Sequence, residues 1–185
     1  MNMASWNIRG FNDPCKQRDL RSLIFKNKLC LVGLNETKVR EENCSKIAND
    51  FLQGWRVRFN YNQHPNGRIW VLWNPEVIDA CCIEKSEQVI HMKVTVIQKQ
   101  ISFFVSFVYG LHSRREQSEL WKKLQDFAAV IGNMPWIVLG DFNVVRHPEE
   151  RVGGNLHWSE ASEDLQKCCM DLHLEDLRYS GHYFT

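Results

Sequence analysis

No charge of either sign dominates this 185-residue sequence. Its 23 Lys and Arg stand against 22 Asp and Glu, for a net charge of +1. Bulk charge therefore gives no support for a polyanionic partner, and only a local basic face could supply one. No apolar run is long enough to span a bilayer. The start, Met1-Asn2-Met3 leading into Ala4-Ser5-Trp6, has neither the apolar centre of a secretion signal nor an Arg/Ser-rich transit stretch. The chain is thus expected to be intracellular, nuclear or cytoplasmic, and without a membrane partner. The seven cysteines contain no C-x-x-C and no Cys/His spacing suited to zinc, although four of them form the adjacent pairs Cys81-Cys82 and Cys168-Cys169. An odd set without a framework implies free, mostly buried thiols in a reducing compartment. Two glycosylation sequons, Asn35-Glu36-Thr37 and Asn43-Cys44-Ser45, are then chance matches. There is no internal repeat, no low-complexity tract and no Pro/Gly linker, so residues 1–185 read as one domain, and no obligate protein partner is indicated.

What is present is a core. Hydrophobic residues make up 44% of the chain, enough for an ordinary globular interior, and seven Trp and ten Phe supply much of it. Short apolar runs predict strands at Met3–Ile8, Leu29–Leu34, Trp55–Phe59, Ile69–Trp73, Val77–Ile83, Val89–Ile97, Ile101–Val108 and Trp136–Leu139. The run Ile101–Val108 is nearly continuous and suits a strand covered on both faces. His91–Val96 alternates and is expected to face solvent on one side, with a hairpin at Ile97–Gln100. Leu120, Trp121, Leu124, Phe127, Ala128 and Ile131 follow helix spacing. Ser113 with Glu116 forms a capping box before them, and Gly132 with Pro135 provides a stop. A second stripe runs through Ala161, Leu165, Cys168, Cys169 and Leu172 with Ser159 as candidate cap. Shorter helices are expected after Pro14 and over Arg40–Phe51. The order β-α-β-α, a run of strands, then α-β-α implies α/β layers around mixed sheets rather than one parallel doubly wound sheet.

Three of these strands end in residues that can hold a metal. Met3–Trp6 leads to Asn7, Leu31–Leu34 to Asn35-Glu36, and Trp136–Gly140 to Asp141-Phe142-Asn143; a fourth, Phe103–Val108, leads to Tyr109. Strand ends are rigid supports whose polar groups can converge on one rim. Oxygen ligands without His or Cys favour Mg²⁺, Mn²⁺ or Ca²⁺ over zinc. Each position also has a plainer reading. Asp141-Phe142-Asn143 could be a turn, Glu36 a first-turn helix residue favoured by the helix dipole, Asn7 a strand end, and Tyr109 a core aromatic before Gly110.

Taken together, Ser5-Trp6-Asn7-Ile8-Arg9-Gly10, Leu34-Asn35-Glu36-Thr37-Lys38, Val108-Tyr109-Gly110 and Gly140-Asp141-Phe142-Asn143 resemble, in order and spacing, the motifs of the endonuclease/exonuclease/phosphatase superfamily, the DNase I-like fold. Gly67–Asn74, Arg151–Gly154, Leu174–Leu177 and Gly181–Thr185 look most like plant LINE-type retrotransposon endonucleases. The resemblance implies a layered sandwich of mixed sheets flanked by helices. It also implies metal-dependent phosphodiester hydrolysis, a retroelement-type nicking of DNA with RNA as a further substrate. Glu36, Asn7 and Asp141 would serve as ligands to Mg²⁺ (or Mn²⁺), and Asp141, Asn143, Tyr109 and Asn7 as catalytic groups. Arg9, Lys38, Arg40, Arg114, Arg115, Arg146 and Arg151 follow the motif-bearing strand ends, where they either contact the backbone phosphates of a nucleic acid or form solvated charged loops. Two departures stand out. Asn35 replaces the usual Gln. The superfamily's closing Ser-Asp-His is also absent, since no Asp-His dipeptide occurs anywhere in the chain. The resemblance thus implies a domain incomplete at its C-terminus, lacking its last strands, marginally soluble, and impaired or inactive in hydrolysis. The seven histidines, His112 and His147 near the motifs included, read as loop, surface or core residues. The alternatives are a non-catalytic remnant or binding module with the same fold, and a phosphomonoesterase or lipid phosphodiesterase of the same superfamily.

Overall fold

The computed structural model describes residues 1–51, 53–63, 67–150 and 159–177. The elements run β1 (Asn2–Asn7), α1 (Pro14–Asn27), β2 (Leu29–Asn35), α2 (Glu41–Phe51), β3 (Arg56–Phe59), β4 (Ile69–Trp73), β5 (Ile78–Lys85), β6 (Val89–Val96), β7 (Ile101–Tyr109), α3 (Arg114–Ile131), β8 (Trp136–Asp141), a 3-10 turn at Pro148–Glu150, and α4 (Glu160–Asp171). They fall into two compact units. One comprises Met1–Tyr109 with Asn133–Asp141, the other Gly110–Gly132 with Phe142–Thr185.

The first unit holds two mixed four-stranded sheets, ordered β1-β2-β4-β3 and β5-β6-β7-β8. In the first, β1 and β2 are parallel and the other pairs antiparallel. In the second, β7 and β8 are the parallel pair. The α/β layering expected from the element order is therefore what forms. Every residue of β2 and of β4 is buried, which explains why both read as unbroken apolar runs: each face is covered. On one face Val32, Leu34, Trp70 and Leu72 join Leu20 and Ile24 of α1, Cys44 and Phe51 of α2, and Phe11 in one cluster. On the other, Gly33 lies so close to Phe107 of the second sheet that a Cβ there would sit 2.1 Å from the ring. Helix α1 starts where Asp13 accepts from the Cys15 amide with Pro14 in the first turn, and it runs longer than the few apolar residues after Pro14 imply.

Strand β6 departs from expectation. It was to face water along one side, and on the face of His91, Lys93 and Thr95 only Lys93 is exposed and Thr95 half-buried, while His91 is buried. His91 is fully buried and hydrogen bonded through Nδ1 to Ser106 Oγ at 2.6 Å, a satisfied core histidine. The hairpin between Val96 and Ile101 forms as expected. Strand β7 is buried from Val105 to Tyr109, while Ile101 at its start is exposed. All seven cysteines are free thiols, with Cys30, Cys44 and Cys168 buried. Asn35 is 1% exposed, which closes that sequon to modification of the folded chain.

An aromatic wedge braces the helix-covered face. Phe11 meets Phe51 edge-on at 5.0 Å and Trp70 at 5.5 Å, and Phe59 meets Trp70 at 4.7 Å. Tyr61 ties the wedge to the backbone, since its hydroxyl donates to the Val39 carbonyl at 2.8 Å and accepts from Trp70 Nε1 at 3.1 Å. Burial pushes the Tyr61 phenol up to about 12. Its unfolded value is about 10, so the native state holds the proton more tightly, and this stability is complete below pH about 10 and lost as pH rises through the folded value. Tyr61→Phe strands a buried carbonyl and an indole N–H and is expected to cost about 1–3 kcal/mol. Melting curves from pH 8 to 12 should show a shallower alkaline decline in the variant; an unchanged slope would contradict the assignment.

In the second unit, α3 carries the capping box between Ser113 and Glu116 and buries Leu120, Trp121, Leu124, Phe127 and Ile131, as its spacing predicts. Ser159 caps α4 by accepting from the Ser162 amide. Arg114 joins the two helices, pairing with Asp164 at 2.6 Å and with Glu160. The guanidinium holds the Asp164 carboxyl below its usual range. Trp121 stacks on Phe142 at 6.2 Å. No helix among the described residues is long and apolar enough to cross a membrane.

Candidate metal and phosphate site

The two parallel strand pairs set the site. Asn7 is the register partner of Asn35 at the ends of β1 and β2, and Tyr109 is that of Asp141 at the ends of β7 and β8. Side chains leaving the strands at these points are fixed by the sheets rather than by loops. Glu36 follows β2 by one residue with φ 52, a left-handed conformation that a non-glycine residue adopts only when held. It is held from both sides, since its amide donates to the Arg68 carbonyl at 3.0 Å and its carbonyl accepts from the Gly10 amide at 2.8 Å. The first-turn helical reading of Glu36 is excluded, because α2 begins only at Glu41.

Asn7 is the hub. Its Nδ2 donates to Glu36 Oε1 at 2.9 Å and to Asp141 Oδ2 at 2.6 Å, so two carboxylates from distant parts of the chain converge on one amide nitrogen. Asn7 Oδ1 is buried and has no partner among the described residues. A buried amide oxygen without a donor is costly unless something else satisfies it. Among the described residues no three His, Cys, Asp or Glu side chains cluster closely enough to hold a metal by themselves. Two carboxylates plus an orphaned amide oxygen nevertheless form a hard, all-oxygen donor set. A half-turn of the Asn7 amide would present that oxygen where its nitrogen now bridges the pair. This donor set fits Mg²⁺ or Mn²⁺ completed by water.

Around Glu36 the sequence supplies cations. Lys38 Nζ lies 3.8 Å from Glu36 Oε2. Tyr109 is 6% exposed, and the Arg68 guanidinium lies over its ring at 5.6 Å while pairing with Glu87 at 3.4 Å. Asn35, which stands where the resemblance expects Gln, does not reach toward the carboxylates: its Nδ2 donates to the Val108 carbonyl at 2.8 Å and ties the two sheets together. Asn143 belongs to the second unit, where its φ is 52 and its Nδ2 donates to the Gly110 carbonyl at 2.5 Å. Of the basic residues after the strand ends, Arg114 is engaged by Asp164 and Glu160, and Arg146 pairs with Asp176 at 3.1 Å. Arg151, together with the stretches 151–154 and 181–185, lies outside the described residues. Sequence reasoning did not single out Arg68 as a site residue. The signal was its position just before the buried strand β4, whose first residue Ile69 pairs with Asn35.

The family profile for endonuclease/exonuclease/phosphatase proteins matches residues 4–164. No curated protein matches the chain. Among solved structures, the endonuclease domain of TRAS1, a telomere-specific non-LTR retrotransposon, superposes with a TM-score of 0.70 at 10% identity, covering 91% of this chain and 70% of that one. The mannosyl-6-phosphatase Bt3783 of Bacteroides thetaiotaomicron gives a TM-score of 0.59 at 13% identity, covering 89% and 69%. TDP2 of D. rerio, complexed with a single-strand DNA product, gives 0.52 at 13% identity, covering 76% and 60%. Identities this low establish shared fold alone, and this chain spans only 60% of the TDP2 chain's length. The profile covers most of the sequence, and the strand-end motifs all fall within it, so the chain belongs to the endonuclease/exonuclease/phosphatase family, with the DNase I-like fold.

Proposed function

We propose that the chain is the metal-binding and phosphate-positioning part of a retroelement-type endonuclease acting on DNA phosphodiesters. The observation that carries this reading is the convergence of Glu36 and Asp141 on Asn7, whose amide oxygen has no partner among the described residues. Glu36, Asp141 and Asn7 would hold Mg²⁺, or Mn²⁺ in its place. A divalent ion bound there supplies a Lewis acid for a phosphoryl oxygen. The chain's own groups do the rest. Tyr109 offers a phenolic donor for charge that builds on the phosphate. Asp141 orients a water molecule by accepting its hydrogen bond, and Asn7 positions the phosphate. A DNA substrate is supported by the fold shared with the TRAS1 endonuclease domain and with TDP2 bound to a DNA product.

These 185 residues contain no Asp-His pair, so an imidazole held by a carboxylate is not available in the form the resemblance implies. A missing general acid–base group typically lowers a rate by about 10²–10⁴. The expected result with the 185-residue chain is therefore one calorimetrically detected, EDTA-reversible Mg²⁺ site together with faint nicking of supercoiled plasmid. Failure to bind Mg²⁺ at millimolar concentration would sink the reading. Strong EDTA-sensitive nicking would show that another group fills the imidazole's role.

A further inference from the structure

A buried amide away from the carboxylate pair organises what surrounds Tyr109. Asn60 directly follows β3, is 0% exposed, and gives its side chain wholly to backbone groups. Its Nδ2 donates to the Ser86 carbonyl at 3.1 Å and to the Glu87 carbonyl at 3.0 Å, while its Oδ1 accepts from the Ile69 amide at 3.0 Å. One amide thus fixes two separate segments, the turn 86–88 between β5 and β6 and the entry to β4. Ser86 tightens the turn further, its Oγ accepting from the Gln88 and Val89 amides, both at 3.2 Å.

These two segments carry the ion pair that covers the Tyr109 ring. Glu87 lies in the turn, Arg68 stands just before Ile69, and their side chains meet at 3.4 Å. The Arg68 guanidinium then lies over the Tyr109 ring at 5.6 Å. The turn also holds Tyr109 by its backbone, since the Tyr109 amide donates to the Gln88 carbonyl at 2.8 Å. We propose that Asn60 and Glu87 are positioning residues for Tyr109: Asn60 sets Glu87 opposite Arg68, and Glu87 holds the guanidinium over the phenol ring. The proposal rests on the reading of Tyr109 as a donor to the substrate phosphate and names the groups that hold it ready.

A phenol donates well to a phosphate only when its hydroxyl waits at one place, and an aromatic side chain has two torsions to settle first. The planar guanidinium packed on the ring restricts both. An arginine alone is long and mobile, so its own freedom must be removed beforehand, which a carboxylate partner achieves. The pair suits this task, because its side chains are only 26% and 38% exposed and are screened less than an open surface pair. The cation over the ring also acts on the hydroxyl. It is attracted to the negative face of the ring and stabilises the electron density that gathers on the oxygen as the proton is shared with an anion. Glu87 is otherwise a negative charge beside a site that addresses phosphate, and holding Arg68 gives that charge a purpose.

The test is a double-mutant cycle on the 185-residue chain, read as binding of a fluorescein-labelled single-stranded 20-mer by anisotropy, with Mg²⁺ present and salt fixed at about 0.15 M. Tyr109→Phe should weaken binding by about tenfold or more, the loss of a hydrogen bond to a charged group. Glu87→Ala should weaken it by about two- to fivefold, the worth of one cation held on a ring. The sign is decisive, because removing a negative charge would by field alone strengthen the hold on a polyanion. In the Tyr109→Phe background, Glu87→Ala should change affinity by less than about 1.5-fold, since no hydroxyl remains to be positioned. Asn60→Ala should reproduce the Tyr109-dependent loss in a less stable chain. Because it strands two carbonyls, the half-exposed Glu87 carries the test independently of folding, and Glu87→Ala should melt within about 2 °C of wild type. Its Mg²⁺ affinity should stay within about twofold of wild type, because Glu36 is held by the Arg68 carbonyl and not by the guanidinium. Tighter or unchanged 20-mer binding by Glu87→Ala would overturn the proposal. So would an equal loss in both backgrounds, which would mark a role independent of the phenol. Wild-type affinity in Tyr109→Phe would instead overturn the reading of Tyr109 as a phosphate donor, and the proposal with it.

Discussion

Glu36→Gln is expected to remove most of the thermal stabilisation that Mg²⁺ would give through the proposed site, while leaving the metal-free melting temperature within about 2 °C. The substitution removes one charge and almost no volume, and the Gln oxygen can still accept from Asn7 Nδ2, which now lies 2.9 Å from Glu36 Oε1. In the metal-free state it also separates two carboxylates that share one amide, so no large loss of stability is expected. The ion responds differently. A unit charge pair about 4 Å apart is worth about 4 kcal/mol at an effective dielectric of 20, so losing one of two charged ligands should weaken Mg²⁺ by at least about a hundredfold. At a Mg²⁺ concentration a hundred times the wild-type dissociation constant, the ion stabilises the native state by about 2.7 kcal/mol; after a hundredfold loss only about 0.4 kcal/mol remains. For a chain of this size the difference is about 5–9 °C. Asp141→Asn should behave alike. Differential scanning calorimetry with and without Mg²⁺ decides it, and a Glu36→Gln chain that keeps the whole Mg²⁺ shift would place the ion elsewhere.

The second large effect belongs to the residue just before Asp141. Gly140→Ala is expected to destabilise the fold by about 3–5 kcal/mol, as backbone strain and overpacking add. Gly140 has φ +147, and a Cβ there would lie 2.0 Å from the Val108 carbonyl oxygen of the neighbouring strand. That oxygen is backbone in a parallel ladder and accepts from Asn35 Nδ2, so it cannot move aside as a side-chain tip would. A loss of this size is a large share of the 5–15 kcal/mol that typically separates native from unfolded chains. Urea unfolding would show it as a midpoint lowered by about 2 M. A variant with the wild-type midpoint would mean that the strand ends relax more easily than this packing allows. The conformation that excludes a side chain at 140 is also the one that delivers Asp141 to Asn7.

How much of this was legible beforehand follows from the range of each interaction. The strands and helices were readable because their causes are local: unbroken apolar runs at β2 and β4, a Ser–Glu capping box at α3, a Ser cap at α4. The convergence of Asn7, Glu36 and Asp141 was expected only through motif resemblance, since nothing in the three segments separately reports their proximity. Glu36 illustrates the limit. Its sequence context suited the first turn of a helix, but bonds to Arg68 and Gly10, both remote from it in sequence, hold it in a left-handed turn instead. The same range effect hid Arg68, whose partners Glu87 and Tyr109 lie far along the chain. It also left Arg114 open to a phosphate contact when Asp164 and Glu160 already engage it. Strand β6 was read as half-solvated because alternation in sequence does not reveal what packs against the second face.

The hydrogen bond from Asn7 to Asp141 links positions 134 residues apart, and that from Asn35 to Val108 links positions 73 apart. Contacts so distant along the chain form only after the intervening loops have closed, and parallel pairing such as β1–β2 and β7–β8 is slow for the same reason. During refolding, secondary structure and burial should accordingly recover first and the carboxylate pair last. Recovery of Mg²⁺ binding in a stopped-flow experiment would then lag recovery of Trp fluorescence. The ion, added at different delays, would act as a clock for the final docking of the two sheets.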